Sequence, residues 1–165
     1  MTTVAQAPTL AGVHHLKLPV CDLARSRDWY TSRLGYVVEL EFFEDGRLNG
    51  LGLRHPNGGP DLALRLDPPR AEAAAGFDYF AIGVPDKESI DALAERLTAL
   101  GDPHAGVHFA TKGWILPLLH DPDGHEVRFY TVEHHTDFEG ERVTSVHDPR
   151  EAAERRAATI RSVST

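Results

Sequence analysis

The chain has 165 residues, of which 41% are hydrophobic and 25% charged, as is ordinary for one soluble globular domain with a sizeable core. A formal net charge of −8 argues against a nucleic acid or an anionic membrane as a partner, because both need a basic face. The single cysteine, Cys21, excludes an internal disulfide framework and favours a cytoplasmic location, and no apolar run is long enough to cross a bilayer.

The first elements are predicted to be a strand, a helix and three more strands. Residues 1–12 read as a flexible lead that lacks the basic start and apolar core of a secretory signal. Residues 13–20 alternate with the period of a strand, and Asp22 is suited to cap a helix over 23–34 that Gly35 ends. The three strand candidates that follow are 36–43, 48–53 and 61–66.

The same order of elements returns after a linker, residues 67–76, which has room for one helical turn. Asp86 is predicted to cap a second helix over 87–100, whose leucines fall on one stripe. The second set of strand candidates is 77–84, 107–110, 114–120 and 126–132.

Residues 134–165 form a C-terminal extension outside this order. Asp148-Pro149-Arg150-Glu151 has the residues of a helix start, with an N-cap Asp, Pro in the first turn and Glu at the capping-box position. A surface helix, an arm that reaches a neighbouring subunit and a disordered end all remain open for this segment.

The two halves repeat one pattern. The segment H-L-K-L-P-V-C-D that starts at His15 returns as Y-F-A-I-G-V-P-D at Tyr79, 64 positions later, and a helix ending in Leu-Gly follows each copy. A repeat of this size predicts two copies of one supersecondary module that pack together. The predicted modules are 13–66 and 77–133, within one domain.

The H-L-K-L-P-V-x-D-L start and the D-P-D-G-H-E-V-R-F-Y end of these units resemble the vicinal oxygen chelate superfamily, which includes glyoxalase I, extradiol dioxygenases, fosfomycin-modifying enzymes and bleomycin-resistance proteins. The resemblance implies an α+β fold in which two tandem βαβββ modules form a U-shaped, partly open mixed β-sheet cleft, with helices on the outer face. It also implies a ligand in the concave side and a homodimer. It does not select a reaction, because this scaffold hosts several chemistries.

Metal-binding members of that superfamily place a ligand, most often His or Glu, on the first and last strand of each module. The matching positions here are His15, Arg65, Tyr79 and Arg128, so that only His15 keeps a usual ligand. Arginine is always protonated and cannot bind a metal. The resemblance therefore leaves the usual divalent ion (Fe, Mn, Ni or Zn) in doubt, and no cofactor is favoured.

Strand alternation predicts the cleft independently, because the polar residues of each strand lie opposite an apolar set that should pack under a helix. Cations outnumber carboxylates in this predicted cleft, which favours an anionic or enolate-like ligand. Trp114 is expected to form an apolar wall. As an alternative, Arg128 and Glu126 only neutralise each other, and Arg65 pairs with another carboxylate. The polar residues expected in the cleft are His15, Lys17, Arg65, Tyr79, Glu126, Arg128 and Tyr130.

Three functions follow, and the sequence leaves open whether the chain is an enzyme. The first is a metal-free protein that binds a small organic molecule. The second is a divalent-metal lyase, isomerase or dioxygenase with a rearranged site on His15 and Glu126. The third is a cofactor-free isomerase or epimerase that uses His15 with Tyr79 or Glu126 as acid and base. The sequence does not name a substrate.

Overall fold

A computed structural model describes residues 12–110 and 112–134. The elements of the first module, with the helix that follows it, are β1 His15–Val20, α1 Leu23–Leu34, β2 Val37–Glu44, β3 Arg47–Arg54, β4 Asp61–Leu66 and α2 Pro68–Ala74. Those of the second are β5 Ala81–Val84, α3 Lys87–Ala99, β6 His108–Phe109, β7 Trp114–Leu116 and β8 Arg128–Thr131.

Each module contributes one four-stranded mixed sheet with the same topology. The strand order is β1-β4-β3-β2 in the first sheet and β5-β8-β7-β6 in the second. In both, the first and last strands of the module run parallel, and the remaining pairs are antiparallel. The α+β fold of tandem βαβββ modules predicted from the repeat is confirmed.

The helix starts follow from their caps. Asp22 accepts a hydrogen bond of 2.9 Å from the Arg25 backbone N–H, and Asp86 accepts one of 2.8 Å from Ser89. Gly35, at φ 80°, ends α1 in the left-handed conformation that glycine adopts without strain. The predicted bounds of α1 are those observed. The linker holds a seven-residue helix rather than one turn, because Asp67 caps it and Pro68 begins it.

The strands of the second module are shorter than predicted. Leu118 adopts a positive φ of 61°, a conformation that interrupts an extended chain between Leu116 and His120. Beyond this point only an isolated bridge joins His120 to Glu126. Pro117, which precedes Leu118 and cannot donate to a sheet ladder, was the available signal of the break.

One apolar core spans both modules. Leucines of β1, β3 and β4 pack with α1, and Ile82, Leu116 and Phe129 pack with α3 in the same cluster. Each sheet thus turns one face to its helix, and we call the opposite face the open face. In the described part of the chain, the helices are too short or too polar to traverse a lipid bilayer. The predicted lead before Gly12 and the helix start at Asp148 lie outside the described residues.

Candidate functional site

The open face of the first sheet carries the cations predicted for the cleft. Parallel pairing of β1 with β4 sets Lys17 beside Ala63 and Pro19 beside Arg65. Lys17 is exposed, and within residues 12–110 and 112–134 it has no ion pair. His15 lies two residues earlier on the same face, with its Nδ1 3.0 Å from Nδ1 of His14.

An apolar wall borders this face, built from residues that sequence reasoning missed. Leu40 pairs with Gly52, and Phe42 pairs with Gly50. A Cβ at Gly52 would lie 3.1 Å from the Leu40 Cβ, and one at Gly50 would lie 3.6 Å from the Phe42 Cβ. The two glycines therefore leave room for Leu40 and Phe42 to lie across β3. Glycine at alternate positions of a strand was the available signal.

Arg65 is ion-paired. Its Nη1 and Nη2 contact the two carboxylate oxygens of Glu44 at 2.7 and 2.8 Å. The hydrogen bonds from Arg65, and then that from Asn49, hold the pKa of Glu44 below its ordinary value. The carboxylate that the sequence could not identify is thus Glu44, at the end of β2. Both partners remain partly exposed, so the pair contributes little to stability.

Arg128 is held more tightly on the second sheet. Its Nη1 lies 2.6 Å from Asp78 and its Nη2 lies 2.9 Å from Glu126. Glu126 is 5% exposed, and its Oε1 also accepts a 3.0 Å hydrogen bond from the backbone N–H of Leu118. This carboxylate stabilises the left-handed residue that interrupts the sheet. Its hydrogen bonds and ion pairs among the described residues lie within the second module, and none of them reaches His15.

The aromatic residues predicted for the cleft lie in different places. Tyr130 is on the open face of the second sheet, paired with Gly83 and Ile115. Trp114 shares its face of β7 with Leu116 and packs against the core. The concave wall expected of Trp114 therefore does not match its position, because alternation along β7 gives it the helix-facing side.

Tyr79 belongs to the junction between the modules. Its hydroxyl is hydrogen-bonded to Nδ1 of His125, and Nε2 of His125 lies 2.7 Å from the carbonyl oxygen of Pro19. A carbonyl only accepts, so Nε2 of His125 donates to Pro19, and the Tyr79 hydroxyl also lies 3.4 Å from the carbonyl oxygen of Ala74. Burial, and then the charge of Asp121, raise the pKa of Tyr79. The hydroxyl therefore stays protonated at its contact with His125, and His125 in turn reaches Pro19 of the first module.

His125 is fully buried, at 0% exposure, although it lies in a turn, where side chains are usually solvated. It is buried because the first module covers this turn. The same turn docks on α1 through Asp123, whose carboxylate accepts from the Cys21 backbone N–H at 3.0 Å and from Ser26 Oγ at 2.9 Å. It also pairs with Arg25 at 2.7 Å.

Asp123 also sets the chemistry of the single cysteine. A hydrogen bond with Asp123, together with burial, raises the pKa of the Cys21 thiol. A raised pKa leaves less of the nucleophilic thiolate at neutral pH. Cys21 is therefore a weak nucleophile in this environment.

The side chains at the family's ligand positions do not fit a divalent ion. Among residues 12–110 and 112–134, no three His, Cys, Asp or Glu side chains come together in a group that could hold a metal. His15 keeps its imidazole on the open face, but Glu126 is occupied by Arg128 and Leu118. Two arginines where carboxylates would be needed add positive charge to the same surfaces.

Comparisons with known proteins agree on the fold. The family model of the Glyoxalase/Bleomycin resistance protein/Dioxygenase superfamily matches residues 12–129. Catechol-2,3-dioxygenase of Bacillus subtilis (strain 168) is 30% identical over 91 residues, which cover 54% of this chain and 32% of that protein. The chain thus spans about a third of the length of this curated relative.

Solved structures show the same architecture. A glyoxylase/bleomycin resistance protein/dioxygenase domain from Frankia sp. EAN1pec is 26% identical, with a TM-score of 0.60, and the match covers 74% of this chain and 98% of that one. Lactoylglutathione lyase from Agrobacterium tumefaciens is 20% identical, with a TM-score of 0.61 and coverage of 76% and 96%. TnmS3, described as an antibiotic binding protein from Streptomyces sp. CB03234, is 19% identical, with a TM-score of 0.60 and coverage of 76% and 98%.

Proposed function

Because the chain belongs to the Glyoxalase/Bleomycin resistance protein/Dioxygenase superfamily, the vicinal oxygen chelate proteins, we propose that it binds a small organic anion without the usual metal. The observation that carries this proposal is the exposed Lys17 on the open face of the first sheet. It has no ion pair among the described residues, and the apolar wall of Leu40 and Phe42 borders the same face. An ammonium and apolar side chains on one sheet face, separated by two strands, suit a molecule with a carboxylate or enolate and an apolar body.

Arg65 adds to this site rather than dominating it. Its partner Glu44 is more than half exposed, so the ion pair is screened by water, and a ligand carboxylate can compete for the guanidinium. Arg128 is less available, because Asp78 and the buried Glu126 both hold it. The proposed anion site is therefore centred on Lys17 and Arg65, with His15 as a hydrogen-bonding neighbour.

A binding role has a parallel among proteins of the same fold. TnmS3 is described as an antibiotic binding protein, so this scaffold can serve binding. We extend only that general role to this chain, and the identity of its ligand stays open.

A carboxylate screen tests the proposal directly. A library of aromatic and aliphatic carboxylates is screened by thermal shift, and the strongest hit is titrated by calorimetry into wild type, Lys17→Ala and the control Lys112→Ala, an exposed lysine outside the open face. We expect Lys17→Ala to weaken binding about tenfold, or ~1.4 kcal/mol, because a charge-assisted contact is lost. Equal affinities for wild type and Lys17→Ala would remove Lys17 from the site.

The second candidate function is a divalent-metal-dependent lyase, isomerase or dioxygenase built on His15. The similarity to catechol-2,3-dioxygenase favours it, as does the imidazole at the family's first ligand position. Cofactor-free acid–base chemistry has less support, because no hydrogen bond joins His15 to Tyr79 or Glu126 in the described residues. We derive no catalytic step from either alternative.

Homodimer formation is part of the proposal. The edge strand β2 exposes all eight of its residues, among them Val37, Leu40, Phe42 and Phe43. A long, exposed, apolar edge strand favours association, and a second copy of the chain is the partner we propose. A cytoplasmic location also stays a proposal, supported by the single cysteine.

A further inference from the structure

A cavity of about 820 Å³ lies between the two modules, away from the residues of the proposed anion site. Such a volume falls in the range of about 300–1,000 Å³ that small-molecule sites occupy. We call it the junction cavity. None of His15, Lys17 and Arg65 lines it. The residues that matter for its chemistry are Tyr36, His55, Val84, Leu93, Arg96 and Phe129.

The repeat explains why the cavity exists. The turn at residues 121–125 of the second module docks against β1 of the first module and the residue after it, where His125 bonds the Pro19 carbonyl and Asp123 bonds the Cys21 backbone N–H. The residues 64 positions later are Gly83 and Pro85, and both line the junction cavity. Proline has no N–H to donate, so the docking seen at Cys21 has no equivalent at Pro85.

We call the end of the junction where the turn of His125 docks the filled end, and the end with the cavity the open end. The bulky residues of the filled end have smaller counterparts at the open end. Tyr30 is fully buried at the filled end, and the residue 64 positions later is Ala94. Trp29 is matched in the same way by Leu93. The connection between β3 and β4 presents Asn57, Gly58 and Gly59 to the cavity, and its histidine, His55, is only partly buried there. The same junction is therefore packed at one end and open at the other.

The lining defines the chemistry of an occupant. The walls are apolar, from Leu93, Val84 and Phe129, while Arg96 is exposed beside them. Arg96 donates through Nε and Nη2 to the carbonyls of Arg33 and Ser32, at 3.0 and 2.7 Å. Within the described ranges it forms no ion pair, so its positive charge is not neutralised by a carboxylate.

We propose that the junction cavity is a second ligand site, which takes an aromatic carboxylate with its ring against Leu93 and Phe129 and its carboxylate at Arg96. The remaining guanidinium donors of Arg96 suit a carboxylate, and an apolar enclosure suits an aromatic ring. The site is independent of the anion site on the open face. If the second site proves absent, the anion binding proposed for the open face is not affected.

Binding of 2-naphthoate, measured by calorimetry on the full chain, tests the proposal. Leu93→Trp introduces the residue that the first module carries at the equivalent position, Trp29. Its larger side chain should occupy the junction cavity and weaken binding at least about tenfold. Arg96→Gln should weaken it by a similar factor, because the charge at the mouth is lost. The control Arg27→Gln removes an exposed arginine outside the cavity and should bind as wild type does.

Thermal unfolding of each variant separates loss of binding from loss of fold. Unchanged affinity in both Leu93→Trp and Arg96→Gln overturns the proposal. Failure of the wild-type chain to bind 2-naphthoate also overturns the proposal. This holds whether another part of the chain or a second copy fills the cavity. Lys17→Ala, on the open face, is measured in the same way. If Lys17→Ala weakens the binding of 2-naphthoate and Arg96→Gln does not, the ligand binds at the open face and the proposal of a second site is overturned.

Discussion

At the scale of single residues, two arginines change what the family scaffold can hold. Arg65 and Arg128 stand where the resemblance places carboxylate ligands, and both are held by acidic residues of their own module. Alternation along the strands predicted which face these arginines share. Their partners Glu44 and Asp78 could not be predicted, because they come from a neighbouring edge strand and from an irregular segment before β5.

His125 shows where residue-level reasoning failed. A histidine after Asp-Gly in a turn is usually solvated, but tertiary packing buries this one against Pro19 of the other module. Whether this histidine is solvated or buried depends on how the two modules pack against each other. The local sequence does not reveal that packing.

We predict that His125→Ala destabilises the chain by about 2–3 kcal/mol, since it removes a fully buried ring together with its hydrogen bonds to the Pro19 carbonyl and the Tyr79 hydroxyl. The free energy of unfolding in urea measures the loss. His120→Ala, at an exposed histidine of the same connection, is the matched control and should stay within about 0.5 kcal/mol of wild type. Equal stabilities for the two variants would mean that His125 does not hold the modules together.

At the scale of elements, helices were easier to predict than strands. The caps Asp22 and Asp86 and the terminal Gly35 act locally, so the start and end of α1 and the start of α3 could be read from the sequence. The strands of the second module depend on pairing with distant residues and on the left-handed Leu118, which is signalled locally only by the preceding Pro117. Alternation still assigned Leu18, Leu64 and similar residues correctly to the helix-facing side.

The exposed edge strand β2 leads to a testable prediction about the proposed dimer. Phe43 is 59% exposed on this strand, and a charge there should prevent the proposed contact between two copies. We expect wild type to be a dimer by light scattering and Phe43→Lys to be a monomer with unchanged circular dichroism. The control Phe109→Lys, at an exposed phenylalanine of the short strand β6, should remain a dimer. A monomeric wild type contradicts the expectation.

At the scale of the whole molecule, the repeat was the strongest signal in the sequence. It predicted two modules of equal topology, and the described sheets have that topology. The exact module limits, 13–66 and 77–133, stay a prediction. The repeat does not predict how the two modules differ in their packing. The filled and open ends of the junction follow from pairs such as Tyr30 and Ala94, whose meaning appears only when the modules are in contact.

We propose that this member of the superfamily uses its open face to bind an organic anion without a divalent metal. Metal analysis of protein purified without a chelating tag, combined with thermal unfolding in the presence of Fe, Mn, Ni or Zn ions, tests this directly. We expect far less than one equivalent of metal and no stabilisation by any of these ions, since a ligand that binds the folded state would raise its stability. About one equivalent of bound metal that is lost in His15→Ala would contradict it and favour the metal-dependent enzyme.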